Sequence, residues 1–255
     1  MKKLLFLFIS LLVSVVLGGQ AYSACEVAVG WEPWEPYQLK DNTGNYSGLD
    51  IDIVKAAFET SDCTLEFKEM PWKRVLLSIK EGAIQIGMGA SQLPEREPFS
   101  YFSLPYRDES FTLFIEKGGN EKYKLVQLDD VIKYDLHLGT VRGYFYGRQF
   151  EDALKNPKFK VLIEEVTDDE TNLKKFEKGR IKAFFMDPYM ATDLLRKQNM
   201  LNKVERSHIT LVTGTIHFML SKKSATPEML KRLNEGLQRI KTNGILEKIN
   251  QKYLK

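Results

Sequence analysis

Residues 71–87 read Pro-Trp-Lys-Arg-Val-Leu-Leu-Ser-Ile-Lys-Glu-Gly-Ala-Ile-Gln-Ile-Gly. Trp72, Val75, Leu76 and Ile79 recur at helical spacing. Pro71 suits the first position of that helix and Gly82 its end. Ala83 to Gly87 then reads as a short apolar strand. The stretch before it has the same grammar. Glu26 to Gly30 reads as a strand, and Asn42 to Gly48 is rich in turn residues. Asp50 looks like a helix cap, followed by an apolar face of Ile51, Val54, Ala57 and Phe58. Thr64 to Phe67 alternates as a strand does. The order β-α-β-α-β predicts a parallel sheet with crossover helices.

Toward the C-terminus the pattern returns. Lys80-Glu81-Gly82-Ala83-Ile84-Gln85-Ile86 is echoed by Glu177-Lys178-Gly179-Arg180-Ile181-Lys182-Ala183. Strands are expected at Leu136–Leu138, Lys160–Ile163 and Ile181–Met186, with helices over Tyr146–Leu154 and Asp169–Lys178. Phe111–Ile115 and Leu211–Leu220 are β-rich and flank this second unit. Thr226-Pro227-Glu228 starts a helical tail to Lys255. The expectation is two α/β lobes, residues 25–115 with 209–255 and residues 116–208, joined by two strand-like connections.

The 255 residues are 43% hydrophobic and 28% charged, with a net charge of +3 that includes Lys2 and Lys3. Such a near-neutral chain does not have the charge of a nucleic-acid or membrane-surface binder. Met1-Lys2-Lys3, the apolar run Leu4–Leu17 and the small residues Gly18–Ala24 form the three parts of a secretory signal over residues 1–24. The run is short for a membrane span. Cys25 and Cys63 are the only cysteines. Export and an even count favour a disulfide between them. Lipid attachment at Cys25 is the alternative, although Tyr22 stands where a lipoprotein signal has leucine. The three histidines have no partner spacing, and no metal, cofactor or catalytic motif is present.

Ligands of open parallel sheets bind beyond the carboxyl ends of the strands. Those positions carry Trp31 to Tyr37, Met88 to Arg96, Gly139 to Tyr146 and Asp187-Pro188-Tyr189. Arg96 can fork a carboxylate. Ser91 and the backbone near Gly89 can add donors, and Asp187 can accept from an ammonium. Trp34 and Trp72 can cover a side chain, and Tyr144 is placed at the cleft. Asp187 before Pro188 also suits a helix cap. Asp50 and Asp52 read as cap and solvated face.

Several segments together resemble a known family. They are Gly48-Leu49-Asp50-Ile51-Asp52-Ile53, Pro71-Trp72 followed by Leu76, Gly82 and Ile86, Pro94-Glu95-Arg96, Phe99-Ser100 and Pro105-Tyr106. They are similar to the family 3 extracellular solute-binding proteins, the polar amino acid type that serves ABC importers. The resemblance runs from about Glu26 to Lys255. It implies a type II periplasmic-binding fold whose two α/β lobes close on a ligand about a two-strand hinge. It implies Arg96 on the ligand carboxylate, Ser91 as a hydroxyl contact, Asp187 on the ligand ammonium, and Trp34 and Trp72 as pocket aromatics. Arg142-Gly143-Tyr144-Phe145 stands where the family often has Arg-Gly-Thr-Thr, and Leu93 replaces a usual threonine.

The expected protein is therefore a monomeric, non-enzymatic periplasmic receptor for an amino acid or similar zwitterion, delivering to an inner-membrane permease. An enzyme on the same scaffold is the alternative. Cyclohexadienyl dehydratases resemble the family, and Glu32 or Glu35 could supply the acid. A sensory partner acting in trans is a third reading.

Overall fold

The computed structural model describes residues 25–254, so the export reading of residues 1–24 lies outside the described residues. The chain opens with β1 (Cys25–Trp31), whose residues from Val27 onward are all buried. A strand hidden on both faces is the mark of a parallel sheet covered by helices. After the small hairpin β2 (Leu39–Lys40) and β3 (Tyr46–Ser47) come α1 (Leu49–Phe58), β4 (Cys63–Glu69), α2 (Trp72–Glu81) and β5 (Ile86–Ser91). β1 pairs in parallel with β4 on one side and β5 on the other. This is the expected β-α-β-α-β unit. Gly82 closes α2 in the left-handed conformation (φ 83°), where a side chain would be strained. Pro71 caps the other end of α2 rather than opening it.

The chain then passes through β6 (Ser100–Phe102) and the long strand β7 (Arg107–Glu116). Beyond it lie α3 (Gly119–Lys122), α4 (Asp130–Lys133), β8 (Leu138–Val141), α5 (Arg148–Ala153), α6 (Pro157–Lys160) and β9 (Ile163–Val166). α7 (Asp169–Glu177), β10 (Ala183–Met186) and α8 (Pro188–Lys197) complete a second unit. β11 (Val204–Ser221) runs back antiparallel to β7, and α9 (Pro227–Thr242) and α10 (Ile245–Tyr253) end the chain.

The main sheet has the order β4-β1-β5-β11-β7-β10-β8-β9, with β6 added beside β11. β11 pairs with β5 near Ile216–Leu220, and β7 pairs with β10 near Thr112–Ile115. Between the two strand groups only β7 and β11 carry the sheet, and β11 shifts register at 206–210 and again at 212–214. The C-terminal helices return to the first group, where α9 packs on α1. Gly236 lies so close that a Cβ there would sit 2.0 Å from the Ala57 carbonyl oxygen.

Cys25 and Cys63 face each other in the β1–β4 register with Cα atoms 4.3 Å apart, and their sulfurs are bonded. Cys25 thus carries a disulfide. The second unit departs from its expected boundaries. Its first strand is 138–141 rather than 136–138. Gly139 and Thr140, expected just beyond the strand end, are buried strand. A Cβ at Gly139 would meet Asn172 Oδ1 at 2.3 Å, so the glycine is there to let α7 approach β8. Lys160 belongs to α6, opened by Pro157 under an Asn156 cap, and the strand begins only at Ile163.

Candidate functional site

A cavity lies where the strand ends of the first group meet the loop after β8. Trp31 and Glu32 reach it from the end of β1, Trp34 and Gln38 from the following loop, and Trp72 from the start of α2. Gly89 and Ser91 come from the end of β5, and Arg96 from the turn beyond it. β7 adds Glu109 and Phe111, and the loop after β8 adds Tyr144 and Phe145. Of the expected ligand residues, six are brought together: Trp34, Trp72, Gly89, Ser91, Arg96 and Tyr144.

Arg96 is 6% exposed. Its Nη1 donates to the Ser91 carbonyl at 3.0 Å and its Nη2 to the Gly143 carbonyl at 3.3 Å. The guanidinium lies 5.6 Å from the Trp72 ring centre. Burial brings its pKa down to about 10, so it is still a cation at neutral pH. None of the ion pairs among the described residues includes it. Trp34 is buried, and its indole N–H has no hydrogen-bond partner. An unpaired buried donor is unusual in a folded protein.

Gly89 has φ 74°, a left-handed conformation. Its N–H donates to the Tyr106 hydroxyl at 3.0 Å. The backbone donor expected there for a ligand is therefore already engaged.

Glu32 is held by two bonds. Its Oε2 accepts from the Trp72 backbone N–H at 2.9 Å, which satisfies an orphan donor at the start of α2. Its Oε1 accepts from the Tyr144 hydroxyl at 2.7 Å. Burial pushes the carboxyl up to about 7, against both bonds. Beyond Glu32 a wider cleft of about 680 Å³ runs between the β1–β2 loop and the start of α7. Its walls carry Glu35, Asp168, Asp169 and Glu170, with Lys40, Lys174 and Lys197. Lys197 pairs with Glu35 across it. Burial, together with Glu32, Asp168 and Asp187, holds Asp169 well above the ordinary carboxyl range.

Asp187 does not line this cavity and takes the helix-cap position that was also expected of it. Its Oδ1 accepts from the Tyr189 and Met190 N–H groups at 2.9 and 3.0 Å, as the N-cap of α8. Its Oδ2 accepts from the Tyr37 hydroxyl at 3.0 Å. Pro188 supplies no N–H to the helix start, so the cap falls on the next two residues.

The larger surprise is Arg107, which sequence reasoning passed over. Its Nε and Nη2 grip Asp50 at 2.8 and 3.3 Å, and its Nη1 meets Glu109 at 3.2 Å. Its guanidinium stacks 4.2 Å from the Tyr37 ring centre. Burial opposes its charge, but Asp50, followed by Tyr106 and Glu109, outweighs it and raises its pKa. Burial lifts Glu109 to about 7 against the pull of Arg107. Asp50 is therefore not a helix cap. Gly48 takes that position, and Asp50 is fully buried, accepting also from Gln38 at 3.0 Å. Asp52 is half-exposed and binds the Tyr253 hydroxyl at 2.7 Å, which ties α1 to α10. The signal for Arg107 was its place at the head of an apolar strand, next to Asp108 and Glu109.

Among the described residues no group of three or more His, Cys, Asp or Glu is placed to hold a metal ion, and no helix is long and apolar enough to cross a membrane.

The family model for bacterial extracellular solute-binding proteins, family 3, matches residues 27–255. A probable histidine-binding protein of Neisseria gonorrhoeae is 24% identical over 220 residues, covering 86% of this chain and 78% of its own. A putative ABC transporter arginine-binding protein of Escherichia coli K12 is 25% identical over 226 residues, covering 86% of each. The solved structure of an ancestral arginine-binding protein bound to arginine superposes with a TM-score of 0.77 at 23% identity, covering 90% of this chain and 98% of that one. The lobed sheet, the crossing strands and the family match agree: the chain belongs to the bacterial extracellular solute-binding proteins of family 3.

Proposed function

We propose that this protein captures an amino acid or similar small zwitterion in the periplasm and delivers it to an ABC permease of the inner membrane. Residues 25–115 with 209–255 form one lobe and residues 116–208 the other, and β7 and β11 are the hinge. Arg96 carries the reading. It is a buried cation at the cleft whose hydrogen bonds go only to neutral carbonyl oxygens, so its charge is open to a ligand carboxylate. Trp34, with its unpaired indole N–H, adds a donor. Trp72 covers the ligand's apolar part. Ser91 and Gly89 form the floor, and Tyr144 faces them from the other lobe. Glu109 and Glu32 are the carboxyls of this cavity that can meet an ammonium. Asp187 positions Tyr37 and α8.

The relatives described as binding histidine and arginine support an amino acid as the ligand class. The bound state is the closed one because only that form lets both sides touch the solute. The test is calorimetry against the common amino acids, with Arg96→Ala as control. Saturable heat that the variant loses is the expected result. Equal binding by the variant, or no heat with any of them, would sink the proposal.

Glu32, buried and raised to about 7, keeps a dehydratase reading in view because a carboxyl with that pKa can serve as a general acid. Incubation with prephenate, followed for phenylpyruvate, separates the two readings.

A further inference from the structure

The cavity retains only about 30 Å³ of free space. That holds a water or two, whereas small-molecule sites start at roughly 300 Å³. What fills it is the chain itself. The Gly143 carbonyl accepts from Arg96 Nη2 at 3.3 Å and from Trp72 Nε1 at 2.9 Å. The Tyr144 hydroxyl donates to Glu32 at 2.7 Å, and its ring centre lies 6.1 Å from that of Trp34 and 5.9 Å from that of Phe111. These contacts put an acceptor oxygen on the guanidinium, an aromatic body between rings and a donor on a carboxylate. They copy what a small zwitterion would offer the first lobe.

Gly143 makes the approach possible. Its φ is 87°, and an added Cβ would meet Lys73, Leu76 and Trp72 at 3.3–3.5 Å. A second tyrosine–carboxylate bond, Tyr37 to Asp187 at 3.0 Å, crosses in the opposite sense, from the first lobe to the second.

We infer that Gly143 and Tyr144 act as a built-in surrogate ligand: they hold the ligand-free protein closed, and Tyr144 sets specificity by making any solute that reaches Arg96 displace it. For the identity of the solute this rests on the solute-binding reading. For closure it rests on the contacts alone. The consequence is quantitative. If the open, binding-competent form is only a small fraction of the free protein, apparent affinity falls by that fraction.

The experiment measures the radius of gyration of the ligand-free protein by small-angle X-ray scattering, for wild type, Tyr144→Thr and Tyr144→Phe. Titration with L-arginine and L-histidine by calorimetry runs beside it. Wild type is expected to be compact without ligand and to contract no further on adding either amino acid. Tyr144→Thr is expected to be expanded without ligand and to bind at least one of the two amino acids about ten-fold tighter or more than wild type. Tyr144→Phe, which keeps the ring and loses only the Glu32 bond, is expected to expand part of the way. It decides the matter if the threonine variant does not fold. An expanded wild type that contracts on ligand addition overturns the inference. So does a Tyr144→Thr or Tyr144→Phe protein as compact as wild type, or a folded threonine variant that binds no tighter than wild type where wild type itself binds. If the threonine variant expands but neither protein binds any amino acid, the built-in closure stands and the amino acid reading falls.

Discussion

Arg96 and Arg107 are both buried cations near the same cleft, and their partners separate their roles. Arg107 is surrounded by carboxylates, with Asp50 forked at 2.8 and 3.3 Å and Glu109 at 3.2 Å. Its charge is neutralised within the fold, and the face of its guanidinium is covered by Tyr37. Arg96 hydrogen-bonds only to carbonyl oxygens, one from its own lobe and one from the opposite loop, and lies against the Trp72 ring. A buried cation with neutral partners keeps most of its electrostatic attraction for an incoming anion, whereas one fully paired has none to spare. The lesson is that burial alone does not mark a ligand arginine. The charge of its neighbours does.

The comparison can be broken in four places. The largest effect is expected at Arg107. Arg107→Ala leaves Asp50 and Glu109 buried without their cation, and should cost about 3–5 kcal/mol in urea unfolding. A loss below about 1 kcal/mol would mean that the network is not structural.

Arg96→Ala should do the reverse. Its stability cost is expected to stay near 1–1.5 kcal/mol, since only hydrogen bonds to carbonyls are lost. Affinity for an amino acid should fall by roughly 30-fold or more, about 2 kcal/mol. Comparable losses of stability in the two variants would erase the distinction.

The third test is pH. Glu32 and Glu109 each have a native pKa raised from 4.5 to about 7. Between those values the folded chain holds protons that the unfolded chain has released. Their contribution is therefore present in full below about pH 4.5 and is lost as pH rises through 7, at up to ~1.4 kcal/mol per pH unit for each proton. Glu32→Gln removes one of the two. The variant should gain stability relative to wild type as melting is followed from pH 5 to pH 7.5. A parallel pair of curves would show that Glu32 titrates normally.

The smallest effect is expected at Asp187. Asp187→Asn keeps an oxygen for the α8 cap and should cost about 1 kcal/mol or less. Amino acid affinity should change less than about three-fold. A loss of affinity as large as that at Arg96 would return Asp187 to the role of ligand carboxylate.

The two units of the fold were unequally legible. In the first, α2 announces itself through apolar residues at helical spacing between Pro71 and Gly82, and the strand after it is equally plain. In the second, the strand is expected to stop at Leu138 but runs on through Gly139 and Thr140, where α7 needs a residue without Cβ beneath it. At the site, strand-end positions singled out Trp34, Gly89, Ser91, Arg96 and Tyr144, with Trp72 beside them as a covering aromatic; all six line one cavity. The same rule chose Asp187, where a local cap and a distant tyrosine claim the carboxylate.

What the sequence determined by itself is what acts over a few residues: helical and strand periodicity, the Pro and Gly stops, the Asp187-Pro188 cap, and the repeated α/β order that requires a parallel sheet. Contacts between distant parts of the chain decided the rest. Arg107 meets Asp50 across 57 residues, Tyr144 meets Glu32 across 112 and Tyr37 meets Asp187 across 150. Whether a charged side chain is a strut, a latch or a ligand group depends on which opposite charge or dipole shares its low-dielectric surroundings. Only the folded chain brings those partners within hydrogen-bond reach.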